Sequence, residues 1–308
     1  ATTGDWWAVA WRLVMLATWV VILHAAWRAN VAHGLVNPIY RGGGTRQRHD
    51  TMLATADRTR WLPQRWQLSA PARAARTRLS RSWATDPRYL ASLAGVLAFP
   101  LMFFVFVVPV LQLEARWSLV APVLLAASIG WGRHNDVAYD STAIWIDISA
   151  GSLGTELMKG RTFAVLSWAV PAVLGSAVVL LAWTGLWELA PAVIGACLGV
   201  LGLTLGISAL TSVLLPYRAP APGDNPFGTE VGAVGASLVA QLVSSLATAI
   251  AMPLVTVPFV LALANGTGWG WLALVTGLVF GPAGVALGVR LSGRAFDARA
   301  GSLVGAVS

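Results

Sequence analysis

The sequence predicts an all-α polytopic membrane protein with about seven transmembrane helices. Of its 308 residues, 56% are hydrophobic and only 11% are charged, and the mean hydropathy is +0.68. Soluble domains carry about 25% charged residues, so this composition excludes a water-soluble globular protein. The single cysteine, Cys197, excludes an intramolecular disulfide framework and a cysteine-based metal cluster.

Seven apolar stretches are candidates to cross a bilayer, which requires about 20 residues of helix. They are Trp6–Trp27, Tyr89–Leu113, Trp117–Trp131, Thr162–Trp183, Leu189–Leu215, Ala236–Ala264 and Trp269–Val289. The third stretch is short for a span. The last two lie in a segment without Asp, Glu, Lys or Arg, and a turn at Asn265 to Gly268 separates them.

The basic residues predict the orientation of these helices. If the first span runs from outside to inside, 19 of the 21 basic side chains lie on the cytoplasmic side, and only Arg12 and Arg116 lie outside. Because cytoplasmic loops carry the excess of Lys and Arg, we expect a multi-pass protein of the plasma membrane with a cytoplasmic C-terminus. Single-sign clusters beside apolar runs also favour membrane lipids over nucleic acid as partners.

A basic stretch of about 60 residues separates the first two spans. Residues 29–69 read as a linker, and residues 70–88 as an amphipathic helix that Asp86-Pro87 ends. Its basic residues are interleaved with Ala75, Leu79 and Trp83, and they are Arg73, Arg76, Arg78, Arg81 and Arg88. Such a helix lies in the headgroup plane, either as a juxtamembrane anchor or as an elbow that carries force into the membrane domain.

The spans contain almost no group that could couple transport to an ion gradient. Apart from Arg12 near the outer end of the first span, His24 is the one acidic or basic side chain inside them, whereas ion-coupled carriers use intramembrane ionisable residues. The single lysine, Lys159, is followed by Gly160-Arg161, so the chain lacks the Gly-Lys-Ser/Thr ending of a P-loop. Any ATP hydrolysis, with its Mg²⁺, is therefore expected on a partner, and we predict no cofactor or metal on this chain.

Two spans carry stripes of small residues at helical spacing. The glycines recur at i, i+4, i+7 and i+11, as Gly195, Gly199, Gly202 and Gly206 in the fifth span and Gly277, Gly281, Gly284 and Gly288 in the seventh. Stripes of this kind let helix backbones approach closely in a membrane. They predict a tight bundle or a tight interface with a second copy or half.

Polar side chains also align on two spans. They are Gln241, Ser244, Ser245 and Thr248 in the sixth span and Thr204, Ser208, Thr211 and Ser212 in the fifth. The pattern is typical of hydrogen bonds between helices and is also compatible with the lining of a substrate path. Pro253 and Pro258 predict a kink in the sixth span.

The loop after the third span, residues 136–161, is the most informative local segment. Asp140 or Ser141 can cap a short helix containing Ile144, Trp145 and Ile148, and a second helix begins near Thr155 and Glu156. Its acidic residues could serve as acid/base groups or metal ligands, but no second cluster accompanies them, and Arg133, Lys159 and Arg161 can neutralise them. The segment therefore favours a docking surface over an active site.

The order of these features resembles the membrane subunit of ABC-2-type exporters, particularly the large actinobacterial permeases. The resemblance rests on Asp-Pro-Arg-Tyr after a basic amphipathic helix, Tyr-Asp-Ser-Thr-Ala-Ile-Trp from Tyr139, a Gly-Ser-Leu-Gly turn and Lys-Gly-Arg before the next span. It covers residues 70 to about 294 and implies a type V exporter-like bundle of six helices over residues 89–293. Residues 70–88 would form the elbow helix and residues 294–308 a cytoplasmic tail.

The resemblance also implies partners and roles. Residues 136–161 would form the coupling segment seated on an ATP-binding subunit, present in two copies, through Tyr139, Asp140, Ile144, Trp145, Asp147, Ile148, Glu156, Lys159 and Arg161. Residues 1–28 would be the last helix of a preceding permease half, so we expect the chain to be the later portion of a two-half permease, or to pair with a second copy.

The function implied is export of an apolar or amphipathic substrate, such as a drug, lipid or polyketide-like molecule, with no reaction catalysed by this chain. Two alternatives stay open at the level of sequence. One is a membrane-embedded, lipid-linked glycosyltransferase, which would need acidic residues at an interface. The other is a secondary transporter that binds sodium through hydroxyl and carbonyl groups.

Overall fold

The structure, a computed structural model, describes residues 6–36, 68–220, 231–266 and 268–307. All regular elements in these ranges are helical. The chain divides into two units, Ala1–Thr55 and Ala56–Ser308. In the first unit, helix α1 covers Trp6–Val36, and its apolar part is Leu13–Ala29. The predicted basic linker falls mainly on residues 37–67, outside the described residues.

The part of the second unit that the structure describes forms nine numbered helices. They are α2 (Ala70–Thr85), α3 (Pro87–Met102), α4 (Val120–Trp131), α5 (Ile144–Ser149), α6 (Gly154–Thr184), α7 (Ala190–Leu214), α8 (Val234–Ala251), α9 (Pro253–Asn265) and α10 (Gly268–Val307). A π-helical stretch, Phe103–Val107, prolongs α3 to Val110, and 3₁₀ turns precede α4, α5 and α7.

Among the described residues, five helices are long and apolar enough to cross a membrane: Pro87–Val110, Gly154–Thr184, Trp187–Leu214, Val234–Ala251 and Gly268–Ala306. An all-α polytopic membrane protein is therefore confirmed as the fold class. These five helices correspond to five of the seven predicted spans, and the other two predicted spans correspond to α1 and α4.

The third and sixth predicted spans differ from single membrane-crossing helices. Helix α4 has only 12 residues, about 18 Å of helix, and it is mostly buried between its neighbours, so its length need not match the lipid. The sixth span is divided at Met252, because Pro253 has no amide hydrogen to continue the helical bonding of α8. Helix α9 then continues over 13 residues.

Helix α7 is the centre of the second unit, and it packs against α10 through glycine. Ideal Cβ atoms on Gly202 and Gly206 would overlap the carbonyl groups of Gly281 and Gly284, and one on Gly199 would lie 2.8 Å from the Cα of Gly277. The two predicted glycine stripes thus lie against each other within one chain. Because the backbones themselves are in contact, no other side chain fits at this interface.

Helix α10 continues well beyond its apolar part. Its 40 residues make it about 60 Å long, so the predicted tail, residues 294–308, is helical over its described residues. Phe296 and Leu303 are buried in a small core with Ile144, Leu157 and Met158. The Arg299 guanidinium donates to the Leu214 carbonyl at 2.8 Å. This end of α10 therefore fixes the start of α6 and the end of α7.

The glycine interface predicts a specific sensitivity to one methyl group. Gly206→Ala places a Cβ against the Gly284 carbonyl group, so we expect it to separate α7 from α10 and to lower the free energy of unfolding by about 1–3 kcal/mol. Thermal unfolding of the purified protein in detergent measures this effect.

Gly175→Ala in α6 is the matched control, because nothing lies within 4 Å of its added Cβ. We expect this change to be neutral or slightly stabilising, since alanine is the better helix former. Equal melting temperatures for the two variants would contradict the proposed role of the interface.

Candidate functional site

The site begins where α2 packs against α6. Ala72, Ala75, Leu79 and Trp83 lie on one face of α2 and are buried. Gly160 of α6 allows the close approach, because a Cβ at this position would overlap the Ala72 carbonyl group. The apolar face of the predicted amphipathic helix therefore packs on protein.

Both ends of α2 are fixed by side chains. At its start, the Ser69 hydroxyl donates to the Glu156 carboxylate of α6 and accepts from the Ala72 amide. At its end, Asp86 accepts from the Arg88 amide at 2.9 Å, so it caps α3 one residue after α2 has finished. The predicted helix end at Asp86-Pro87 is confirmed, and the chain turns sharply from α2 into α3.

Four arginines and four aspartates meet beneath these helices, and we call this group the charge cluster. It consists of Arg78, Arg88, Arg133 and Arg161 with Asp86, Asp136, Asp140 and Asp147. Arg78 of α2 contacts Asp147 at 2.7 Å and Asp140 at 3.1 Å. Arg161 of α6 contacts Asp140, and also Asp136 at 3.2 Å. The loop before α5 is thereby held between α2 and α6.

Arg88 connects the charge cluster to two backbone segments. Besides its pairing with Asp86, it donates to the Tyr139 carbonyl at 3.1 Å and to the Pro220 carbonyl at 2.9 Å. The first contact lies in the loop before α5 and the second beyond the end of α7. A single buried side chain therefore links α3 to both segments.

Arg133 is enclosed by aromatic rings. Its guanidinium lies 4.8 Å from the ring centre of Trp83, 5.0 Å from that of Tyr89 and 5.5 Å from that of Tyr139. It also pairs with Asp136. Burial lowers the pKa of Arg133, but an arginine remains charged near neutral pH. Cation–π contacts replace part of the hydration that this buried charge has lost.

A second connection, which we call the His134–Tyr217 clamp, joins the end of α4 to the segment after α7. The Asn135 side chain donates to the Tyr217 carbonyl at 2.8 Å and accepts from the Tyr217 amide at 3.1 Å. His134 Nδ1 is 2.9 Å from the Trp131 carbonyl, and Nε2 is 3.0 Å from the Tyr217 hydroxyl. Because a carbonyl can only accept, Nδ1 carries the hydrogen and Nε2 accepts from Tyr217.

Burial sets the protonation of this clamp. It lowers the pKa of His134, an effect that the neighbouring Arg133 charge reinforces and the Trp131 hydrogen bond opposes. It also raises the pKa of Tyr217, against a hydrogen bond from Gln241 of α8. His134 is therefore neutral and Tyr217 protonated at neutral pH, as the hydrogen bond between them requires.

Helix α5 presents apolar side chains outward from this framework. Trp145 is 56% exposed, Ile146 50% and Leu153, just after the helix, 63%. Ile144 is fully buried beneath them, Ile148 is partly buried, and Asp147 is paired with Arg78. Of the residues predicted to meet a partner, Trp145 alone offers a large free apolar surface, whereas Tyr139, Asp140, Ile144 and Arg161 hold the helix in place.

The strained residue of this loop is Ser141. Its backbone has φ 47° and ψ −135°, a region that glycine occupies readily and other residues rarely. It lies between Asp140, which pairs with two arginines, and the start of α5. The contacts on both sides hold this conformation, whose cost is of the order of 1–3 kcal/mol.

The remaining predicted residues lie on α2, α6, α8 and α7. On α2, Arg73 and Arg76 are partly exposed and Arg81 is exposed, while Lys159 of α6 is partly exposed. On α8, Ser244 and Thr248 are buried with hydroxyl groups that have no partner, Gln241 is partly buried and Ser245 is exposed. On α7, Thr204 and Ser208 are buried, and their hydroxyl groups donate to the Val200 and Trp131 carbonyls.

Several residues that organise the site were not predicted to do so. They are Tyr89, His134, Asn135 and Tyr217. Arg133 was expected to neutralise acidic residues of the loop, and it pairs with Asp136. One signal was present: four consecutive polar residues, Arg133 to Asp136, directly follow an apolar span. All four prove to be buried, and a buried polar run at a helix end requires partners from elsewhere in the chain.

The charged groups of the site are paired with one another. The four aspartates are paired with arginines, and among the described residues no group of three His, Cys, Asp or Glu side chains could hold a metal ion. Neither a family model nor a curated protein nor a solved structure matches the chain.

The charge cluster predicts that substitutions of different arginines lower the free energy of unfolding by very different amounts. Arg161→Gln leaves Asp136 and Asp140 buried with fewer positive partners, so we expect it to lower the free energy of unfolding by about 3 kcal/mol or more. Arg81→Gln removes the same charge from the exposed side of α2 and should cost less than about 0.5 kcal/mol. Comparable losses in thermal unfolding would refute the assignment.

The His134–Tyr217 clamp predicts a contribution to stability that depends on pH. Because the folded state lowers the pKa of His134 below the unfolded value of about 6.5, its contribution is complete above that pH and is lost as the pH falls towards the folded-state pKa. We expect His134→Gln to reduce the difference in melting temperature between pH 7.5 and pH 5. An unchanged difference in the His134→Gln variant would contradict this role of the clamp.

Proposed function

We propose that this chain is the permease subunit of an ATP-driven exporter of the ABC-2 type, and that a partner ATP-binding subunit docks on α5. The observation that carries the proposal is the exposed pair Trp145 and Ile146 on a short helix outside the apolar spans. Exposed aromatic and aliphatic side chains on a rigid mount are typical of binding hot spots. ATP and Mg²⁺ would bind the partner, and two copies would serve a complete transporter.

The charge cluster supports this proposal because it gives α5 a direct connection to the membrane helices. Asp140 and Asp147 link the loop and α5 to Arg78 of α2, and Asp140 also links the loop to Arg161 of α6. A displacement of α5 by a closing ATPase would therefore act on both helices together. Such coupling shifts the population between inward-open and outward-open states.

A few polar side chains on α8 support a short substrate path. Ser244 and Thr248 point unpartnered hydroxyl groups into the bundle, and Gln241 precedes them by one turn. Few polar groups among apolar walls suit an apolar or amphipathic substrate such as a drug, lipid or polyketide-like molecule. The exposed apolar face of α3, including Leu90, Leu97 and Leu101, would be covered by lipid or by a second permease half.

The charge distribution supports the orientation used in this proposal. The charge cluster, Lys159 and Arg290 all lie at the end of the bundle where α6 begins, which the positive-inside rule places in the cytoplasm. The protein would then reside in the plasma membrane with its C-terminus in the cytoplasm, and α2 would act as an elbow helix. The close packing of α2 against Gly160 would transmit movement of α2 to α6.

The test is a surface substitution on α5. We expect Trp145→Ala with Ile146→Ala to abolish copurification of a P-loop ATPase chain and substrate-stimulated ATP hydrolysis, with an unchanged melting temperature because both side chains are exposed. Trp187→Ala is the matched control, since Trp187 is similarly exposed, at 52%, just before α7. An ATPase that still copurifies with the double variant, or that never accompanies the wild-type chain, would refute the proposal.

A further inference from the structure

A groove of about 740 Å³ runs along the surface between α6 and α10, with α7 as its floor. Its walls are formed by Phe163, Leu166 and Val170 on one side and Leu278, Val285 and Val289 on the other. Small-molecule sites occupy about 300–1,000 Å³, so the groove has the capacity of a ligand site. It lies outside the charge cluster and the surface of α5.

The polar side chains of the groove all lie at one end. Lys159 and Thr155 of α6 and Arg290 of α10 line this end, together with Glu156. The Glu156 carboxylate already accepts from the Ser69 hydroxyl, whereas Lys159 and Arg290 form no ion pair within the described part of the chain. The mouth therefore carries two cations against one anion, while the walls beyond it are apolar.

The length of the groove matches one leaflet of a bilayer. From Lys159 to Val170 the α6 wall rises about 16 Å, and half of the hydrocarbon core is about 15 Å thick. Lys159 also lies only five residues from the start of α6 at Gly154, which places its ammonium near headgroup level. The groove thus extends from a cationic mouth at the interface to about the middle of the membrane.

We propose that this groove binds an anionic phospholipid of the leaflet on the basic side of the protein. Lys159 and Arg290 contact the headgroup phosphate, and one acyl chain lies along the walls between α6 and α10. The excess of positive charge at the mouth selects an anionic over a zwitterionic headgroup. This inference requires membrane insertion but does not depend on the proposed function as an exporter.

The test is competitive lipid retention by the purified chain. The protein is purified in detergent with equal amounts of phosphatidylglycerol and phosphatidylcholine, and bound lipid is measured by native mass spectrometry. We expect the wild type to retain phosphatidylglycerol preferentially, and Lys159→Gln with Arg290→Gln to weaken that retention at least about tenfold. Equal retention of both lipids by the wild type would overturn the proposal.

Two further variants separate a groove site from general attraction to a basic surface. Arg73→Gln with Arg81→Gln removes two charges from α2, and we expect it to leave phosphatidylglycerol retention unchanged. Val285→Trp fills the apolar part and should lower retention of both lipids while Lys159 and Arg290 remain. Each variant is first checked for an unchanged melting temperature.

Three further outcomes would also contradict the proposal. An equal loss in the α2 variant would assign the selectivity to surface charge as a whole. Full retention by a folded Val285→Trp variant would show that no acyl chain occupies the groove. A dimer that dissociates on Val285→Trp without any change in lipid retention would show that a second copy of the chain covers the groove.

Discussion

The contact of backbone with backbone between α7 and α10 is the constraint on which the rest of the second unit depends. Since lipid offers no hydrophobic driving force between helices, close packing and dispersion must hold them together. Gly202 against Gly281 and Gly206 against Gly284 bring the two axes as near as carbonyl groups allow. α10 can then reach the start of α6, where Asp297 accepts from the Gly154 amide at 2.7 Å.

At the end of the same helices, the charge cluster must offset the free-energy cost of burying charged side chains. Burying a charge is costly unless its partners are fixed in place, and here each arginine is positioned by a separate element of the fold. Arg133 illustrates the solution, because the aromatic rings of Trp83, Tyr89 and Tyr139 surround it where water is excluded. The loop before α5 is thus rigid although it is irregular, and Ser141 holds a backbone conformation that an unsupported loop would abandon.

Sequence patterns that span a few residues predicted the helices. Contacts between residues distant in sequence were found only in the structure. Hydropathy identified the long spans, and Asp86-Pro87 located the junction of α2 and α3 because capping and proline geometry act within a few residues. Glycine spacing indicated two packing faces, but not that each is the partner of the other. The setting of Arg133 was out of reach, since its three aromatic neighbours come from three segments. The short α4 was taken for a full span because composition does not distinguish burial in protein from burial in lipid.

The net charge of the protein lies outside the charge cluster. Four arginines match four aspartates there, so the group is electroneutral and contributes nothing to the formal net charge of +8. The whole excess therefore resides on other side chains, such as those on the outer side of α2 and at the ends of the helices. Counter-ions gather around those residues, while the cluster can lie close to the hydrocarbon boundary without an ionic atmosphere. Ionic strength should then change the binding of the protein to lipid headgroups and other charged molecules. The ion pairs of the charge cluster should remain nearly unchanged.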